Sequence, residues 1–189
     1  EMGVSKFKPL EKRNYMTYKN GNFYVEGKPW YAHGVNYMPS SGIAIEDQEN
    51  FEYWLSARSY DPEVIERDLS RIERMKLNTV SVFIYYESLK AMNLPDLLRR
   101  CEHHRLRVHL SLRPNADPRQ FKWKEVKALI NRNRIPENDC VFAYDIAWER
   151  GWGTYDGSYG NPKGRKEYDE EWEKWIKARY SNLKDAEID

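Results

Sequence analysis

The stretch DPEVIERDLSRIERMKLNTVSVFIYYE, residues 61–87, holds a helix pattern followed directly by a strand pattern. Asp61 and Pro62 are typical of a helix start, because aspartate accepts hydrogen bonds from free backbone N–H groups and proline fits the first turn. Apolar residues then recur at helical spacing as far as Met75. Residues 79–86 are β-branched and aromatic, which favours a buried strand. The stretch therefore predicts one helix–strand unit.

The same order recurs on both sides of this stretch. Upstream, a short hairpin with a turn at Glu26-Gly27 leads into a strand that ends at Tyr37. Downstream, the predicted elements are a helix from 94 that ends near 103–104, a strand at 106–112, a helix that starts at 115–118, a strand at 140–148 and a last helix from about 168. We expect each strand to be apolar throughout, as in parallel strands that are covered on both faces.

Strands that alternate with helices predict an α/β protein with a parallel sheet and right-handed crossovers. A (β/α)8 barrel of the TIM type needs about 250 residues. A chain of 189 residues would then hold only about the first four β/α units of the barrel. In that interpretation residues 1–21 are an N-terminal extension and residues 22–189 the first half of the barrel. A four-stranded open α/β sheet is the alternative on pattern alone.

The charge balance argues against two classes of partner. Lys and Arg number 31 and Asp and Glu 30, which gives a formal net charge of +1. We therefore expect neither nucleic acid nor a membrane as partner, and the apolar stretches are far shorter than the roughly 20 residues of a membrane span. The first residues, EMGVSKFKPL, lack the apolar segment of a signal peptide. The localisation stays open, and a secreted or periplasmic protein whose signal peptide has been removed is one expectation.

Cys101 and Cys140 are the only cysteines of the chain, and neither belongs to a C-x-x-C pair. We interpret both as small buried apolar residues and not as a disulfide or a metal site. His103 and His104 are adjacent, so on a helix they point in different directions, and the sequence offers no second cluster of ligands. We expect no metal and no other cofactor.

Five stretches resemble one group of enzymes in their order and spacing. They are FYVEGKPWYAHGVNYMP (23–39), the stretch 61–87, LPDLLRRCEHHRLRVHLSL (94–112), VFAYDIAWE (141–149) and YDEEWEKWIKARYSNLKDAE (168–187). They are similar to the first hairpin and strand, and to the following helices and strands up to the helix after strand four, of the retaining clan A (β/α)8 glycoside hydrolases. The resemblance is to the cellulase and mannanase type related to family 5.

What the resemblance implies is a retaining β-glycoside hydrolase that acts on a β-linked oligo- or polysaccharide of the glucan or mannan type. In this mechanism one carboxyl group protonates the leaving oxygen and a second forms a glycosyl ester. Glu149 matches the family's general acid/base, and its place after an apolar strand beside Trp148 would favour the protonated carboxyl. The family's nucleophile follows strand seven. The expected partners are therefore the carbohydrate and a missing C-terminal half-barrel or a second chain.

Further candidates follow from position, because barrel enzymes build their sites at the carboxyl ends of the strands. His33, together with the residues that we predict to bind the substrate, would lie there; the latter are Asn36, Tyr37, Tyr86, Arg113, Trp148 and Trp152. Trp148, Ser81 and Arg113 depart from the Asn, Arg and His that the family commonly has. Asp145 is either a supporting partner of the site or a buried structural acid, and we favour the structural role.

Two other functions stay open beside the enzyme. The chain could be a non-catalytic carbohydrate-binding or pseudoenzyme half-barrel, which keeps an aromatic cleft and lacks the second carboxylate. It could also be a structural half-barrel that self-associates, since exposed strand edges promote aggregation unless they are covered. Whether this chain is an enzyme by itself is not decided by its sequence.

Overall fold

The computed structural model describes residues 15–40, 54–57, 59–84, 92–112, 121–145 and 168–188. Its strands are β1 (Thr17–Lys19), β2 (Asn22–Val25), β3 (Lys28–Trp30), β4 (Gly34–Tyr37), β5 (Thr79–Ile84), β6 (Arg107–Leu112) and β7 (Val141–Asp145). Its α-helices are α1 (Pro62–Arg74), α2 (Leu94–His103), α3 (Trp123–Arg132), α4 (Asp169–Arg179) and α5 (Leu183–Ile188). A short 3₁₀ helix, Ile135–Glu137, precedes β7.

Four strands form a parallel sheet in the order β4-β5-β6-β7. Successive strands are connected through α1, α2 and α3. The predicted α/β class with a parallel sheet is confirmed. In the part of the chain that the structure describes, the sheet is open, with β4 and β7 at its edges.

The three helices between these strands contribute an apolar face to one core. Its helical residues recur at the predicted spacing: Ile65, Leu69 and Ile72 of α1, Leu94, Leu97, Leu98 and Cys101 of α2, and Val126 and Leu129 of α3. The predicted start of α1 is also confirmed. The Asp61 carboxylate accepts hydrogen bonds from the backbone N–H groups of Glu63 (3.0 Å) and Val64 (3.1 Å), which satisfies donors that have no partner within the helix.

The parallel strands are most apolar on the face that joins the helical core. The side chains that join the core from the two central strands are Val80, Val82 and Ile84 of β5 and Val108, Leu110 and Leu112 of β6. Because side chains alternate along a strand, Ser81, His109 and Ser111 lie on the opposite face, together with Phe83. The expectation of strands that are apolar throughout is therefore wrong for β6, since the core of the three helices covers only one side of the sheet.

The antiparallel sheet β1-β2-β3 lies before the parallel sheet in sequence. Its two turns, Asn20-Gly21 and Glu26-Gly27, have positive φ at both residues (50° and 76°, 51° and 76°), as two-residue hairpins with the correct twist require. The predicted hairpin at Glu26-Gly27 is confirmed. Because β1 already pairs with β2, the predicted domain boundary between residues 21 and 22 falls within this sheet.

Gly34 lies at the start of β4, where the backbones of β4 and β5 approach closely. A Cβ atom added at Gly34 would lie 2.0 Å from the carbonyl oxygen of Thr79. Asn78 fixes the same junction, because its side chain accepts a hydrogen bond from the His33 N–H (2.8 Å) and donates one to the Tyr31 carbonyl (2.8 Å). Glycine is required here for space.

The chain divides into two units, residues 1–148 and 149–189. In the second unit α4 has no buried residue, and the rings of Trp172 and Trp175 stack on each other with centroids 5.3 Å apart. None of the described helices is long and apolar enough to cross a membrane. Cys101 and Cys140 of the first unit are both buried, as the sequence predicted, and both are free thiols.

Candidate functional site

The face of the parallel sheet that points away from the helical core carries a row of polar side chains. They are Asn36, Ser81, His109, Ser111 and Asp145, and we call them the polar strand face. Ser111 is buried, Asn36 is exposed, and the other three are partly exposed. A polar row on an otherwise apolar sheet is the feature of the described residues that most resembles a binding surface.

Register brings these five residues together. Parallel pairing places Asn36 beside Ser81 and Ser81 beside His109. After an irregularity near Val108 and His109, Ser111 lies beside Asp145. Paired residues of parallel strands point to the same face, so residues that are far apart in sequence form two neighbouring rows.

Two hydrogen bonds connect the side chains of this face. The Ser81 Oγ atom lies 2.8 Å from His109 Nδ1, and the Ser111 hydroxyl donates to the Asp145 carboxylate at 2.9 Å. Each bond joins two neighbouring strands. The tautomer of His109 decides which atom of the first pair donates.

The electrostatics of the face depend on His109 and Asp145. Burial lowers the pKa of His109, and the negative charge of Asp145 opposes this shift only in part. His109 is therefore mainly neutral at pH 7, and a neutral imidazole both donates and accepts one hydrogen bond.

An aromatic cluster packs beside the polar strand face at its amino-terminal end. Phe142, near the start of β7, contacts Trp30 and Phe23 of the hairpin sheet, with ring centroids 5.1 and 5.7 Å apart. The His109 ring lies 6.3 Å from that of Phe142. The hairpin thus packs at the amino end of the polar strand face, while Ser111 and Asp145 lie nearer the carboxyl end of the strands.

The side chains of this arrangement can form hydrogen bonds with a polar ligand. A serine beside a histidine is also the start of a nucleophile–base pair. Acyl transfer further needs free N–H donors for the oxyanion, and among the described residues Ser81 and His109 lie on central strands with paired neighbours on both sides. Among the described residues, no group of His, Cys, Asp and Glu side chains could hold a metal ion.

The structure describes three of the residues that the sequence placed at the first strand's tip. Asn36 lies on the polar strand face. Tyr37 belongs to the helical core on the other face, so the binding role of Tyr37 has no support from its placement and stays a prediction. His33 precedes β4, which corrects its expected position at the carboxyl end of that strand.

The other predicted site residues lie outside the described part of the chain. They are Glu149, Tyr86, Arg113, Trp148 and Trp152. Their predicted roles therefore stay predictions.

Three members of the polar strand face were missed as site residues by the reasoning from sequence: Ser81, His109 and Ser111. A signal was present, because Arg107 to Leu112 reads RVHLSL, in which polar and apolar residues alternate with the period of a strand. This pattern predicts one apolar and one polar face. Asp145, a structural acid in the favoured interpretation, is a member of the same face.

No protein-family model matches the chain. No similar sequence is found among curated proteins either.

Proposed function

We propose that this chain is the first half of a retaining β-glycoside hydrolase barrel, acting on a β-linked polysaccharide of the glucan or mannan type. Glu149 is its general acid/base, and the nucleophile comes from a further half-barrel. The proposal rests on the sequence resemblance together with the architecture of the described strands.

The observation that carries the proposal is the order β4-β5-β6-β7 with the helical core on one face of the sheet, among the described residues of the first unit. A doubly wound sheet has helices on both faces, whereas a barrel has its helices outside and only side chains within. The polar strand face corresponds to such an inside. In the described part of the chain, four consecutive parallel strands have two unpaired edges, as half of a barrel would.

The place of Glu149 in the sequence agrees with the catalytic role. Glu149 comes four residues after Asp145, the last residue of β7. Barrel enzymes place their catalytic groups after the carboxyl ends of the strands. In the proposed reaction Glu149 donates its proton to the glycosidic oxygen. It then removes a proton from the water that hydrolyses the glycosyl ester.

The first experiment measures intact mass, oligomeric state and hydrolysis of β-linked glucan and mannan oligosaccharides. We expect hydrolysis where a second half-barrel is present, and a loss of about 10²- to 10⁴-fold for Glu149→Gln, which removes a general acid/base. Glu171→Gln is the matched control, since Glu171 is an exposed residue of α4. Equal activity of Glu149→Gln and the unsubstituted protein would refute the assignment.

A second variant separates catalysis from folding. In Glu149→Ala no carboxylate opposes a small anion, so azide can attack the glycosyl ester directly and form a β-glycosyl azide. We expect azide to restore turnover of aryl β-glycosides, whose leaving groups need no proton. Rescue by azide with formation of this product identifies an acid/base, and a merely structural glutamate would show neither.

The second candidate function is carbohydrate binding without cleavage. It is favoured by one observation, that Asp145 is the single carboxylate of the polar strand face among the described residues. Calorimetry with the same oligosaccharides would show binding without hydrolysis, and Asn36→Ala would weaken it.

A further inference from the structure

Cys101 and Cys140 both lie in the core, and their side chains interact although the residues are far apart in sequence. Cys101 belongs to α2, and Cys140 immediately precedes β7. Their exposed fractions are 0% and 4%. Both belong to the single cluster formed by the helices and the apolar face of the sheet.

One residue connects the two cysteines. The Leu106 N–H donates to the Cys101 carbonyl at 2.8 Å, and the Cys140 thiol donates to the Leu106 carbonyl at 3.1 Å. The thiols themselves also interact: the neighbouring Cys140 thiol and then burial raise the pKa of Cys101 well above its usual value. Leu106 therefore brings the Cys140 thiol to the end of α2, where Cys101 lies.

The position of Cys140 is fixed by further backbone contacts. The Val108 N–H donates to the Cys140 carbonyl at 2.7 Å, and the Cys140 N–H donates to the Asn138 side chain at 2.8 Å. Because the N–H and the carbonyl group of Cys140 are both held by hydrogen bonds, the direction of its thiol is fixed. Two apolar side chains would fill the same volume, but only a pair of thiols can become covalently linked.

We propose that Cys101 and Cys140 are a modification site, at which a disulfide forms when the folded protein meets an oxidising mixture of small thiols and disulfides. The bond would connect α2 to the start of β7 and close the loop that contains β6 and α3. This inference does not depend on the proposed glycosidase activity.

The reaction consists of two thiol–disulfide exchanges. The thiolate of one cysteine attacks a sulfur of a small disulfide, which forms a mixed disulfide and releases one small thiol. The second cysteine then attacks the protein sulfur of the mixed disulfide and releases the second small thiol. The two cysteines are oxidised, the reagent is reduced to two thiols, and the two thiol protons of the protein end on these products.

Burial controls the rate in both directions. The thiolate is the reactive form of cysteine, and a raised pKa keeps Cys101 protonated at neutral pH. Exchange therefore takes place in the fraction of molecules whose α2 has opened locally. Once formed, the disulfide is equally shielded from reductants, and it stabilises the protein by restricting the unfolded chain.

The test incubates the purified chain in oxidised and reduced glutathione, with dithiothreitol as the reference. We expect an intact mass lower by two hydrogen atoms, loss of both thiols to Ellman's reagent in denaturant, and one linked peptide pair in a non-reducing digest. The Tm should rise relative to the dithiothreitol sample. Cys101→Ala and Cys140→Ala should each abolish the linked pair and the difference in Tm.

Three results would overturn the proposal. They are two thiols that persist after the oxidant has acted, a product that carries only glutathione adducts or links between chains, and an internal disulfide that lowers the Tm. The measurements on the unsubstituted chain decide between these outcomes even if an alanine variant does not fold.

Discussion

Asn36 and Tyr37 are neighbours in sequence but lie on opposite faces of the parallel sheet. Tyr37 is 5% exposed, and its ring packs edge-on against that of the buried Trp54 with centroids 5.7 Å apart. The Tyr37 hydroxyl is buried near Asp68 without a hydrogen bond of normal geometry in the described part of the chain. Burial, followed by the charge of Asp68, raises the pKa of Tyr37. At the residue scale, packing explains Tyr37 better than contact with a ligand.

Tyr37→Phe tests this interpretation. The substitution keeps the ring and removes a buried hydroxyl, so we expect the free energy of unfolding to be unchanged or higher by about 1 kcal/mol. Oligosaccharide affinity should not change. Urea unfolding and calorimetry measure the two quantities.

Asn36→Ala is the matched comparison, since Asn36 is exposed on the polar strand face. It should leave stability nearly unchanged and weaken any binding of sugar. A loss of affinity in Tyr37→Phe at unchanged stability would instead support the binding role predicted from the sequence.

At the scale of elements, α1 and α2 are connected by a network of charged groups that is centred on His104. Its ring nitrogens Nδ1 and Nε2 lie 2.8 Å from Glu73 and 2.9 Å from Glu66. Glu66 also accepts a hydrogen bond from Arg100 at 2.6 Å. Because both partners of the ring are carboxylates, both ring nitrogens donate, and His104 is an imidazolium in this arrangement.

The network continues from Arg100 to the loop before α1. Arg100 donates to Asp96 at 2.7 Å, and the Tyr60 hydroxyl donates to the same carboxylate at 2.6 Å. Burial alone would raise the pKa of Asp96, but the hydrogen bonds from Tyr60 and from the arginines lower it. The network thus holds α1, α2 and the loop together.

Protonation of His104 makes stability depend on pH. Burial alone would lower the pKa of His104, but the hydrogen bonds with Glu73 and Glu66 raise it above its usual 6.5. The contribution of His104 is therefore complete below about pH 6.5 and is lost as the pH rises through the folded-state pKa. The hydrogen bond from His104 lowers the pKa values of Glu66 and Glu73 below 4.5, so their contribution is lost in acid.

We predict that this network stabilises the folded protein most at a pH between the lowered pKa values of Glu66 and Glu73 and the raised pKa of His104. In urea unfolding at a series of pH values, the urea concentration at the midpoint should decrease as the pH rises above neutrality. His104→Gln should flatten this fall, whereas His103→Gln should not, because His103 is the exposed neighbour. An unchanged pH profile in His104→Gln would contradict a charged His104.

At the scale of the whole molecule, the parallel sheet has two edges that are unpaired in the described residues. β5 and β6 have neighbours on both sides, whereas β4 and β7 each have one. Val35 of β4 and Tyr144 of β7 are also exposed, at 38% and 46%. A further half-barrel, which the proposed function requires, would cover both edges.

Hydrogen exchange should reveal the state of these edges. For the chain alone we predict slow exchange of the backbone amides in β5 and β6 and faster exchange in β4 and β7, because only the inner strands have both ladders. Mass spectrometry of peptides from each strand measures the difference. Equally slow exchange in all four strands would show that a partner already covers the edges.

The sequence alone predicted the features that depend on neighbours in the chain. Helical spacing and the cap at Asp61 gave α1, β-branched runs gave β5, and the Glu26-Gly27 pair gave the hairpin, because these patterns act over a few residues. The order of strands and helices was enough for the parallel α/β class. It did not distinguish half a barrel from an open sheet, since closure depends on strands beyond those described.

The tertiary structure decided which residues meet across long separations in sequence. The pairs Ser81–His109 and Ser111–Asp145 depend on strand register, and a shift of one residue would turn these side chains to the other face. The packing of helices on the sheet decided three further contacts. It buried Tyr37, placed His104 between two glutamates and brought Cys101 and Cys140 into one core. Sequence patterns determined the elements of this protein, whereas register and packing determined the chemistry on their surfaces.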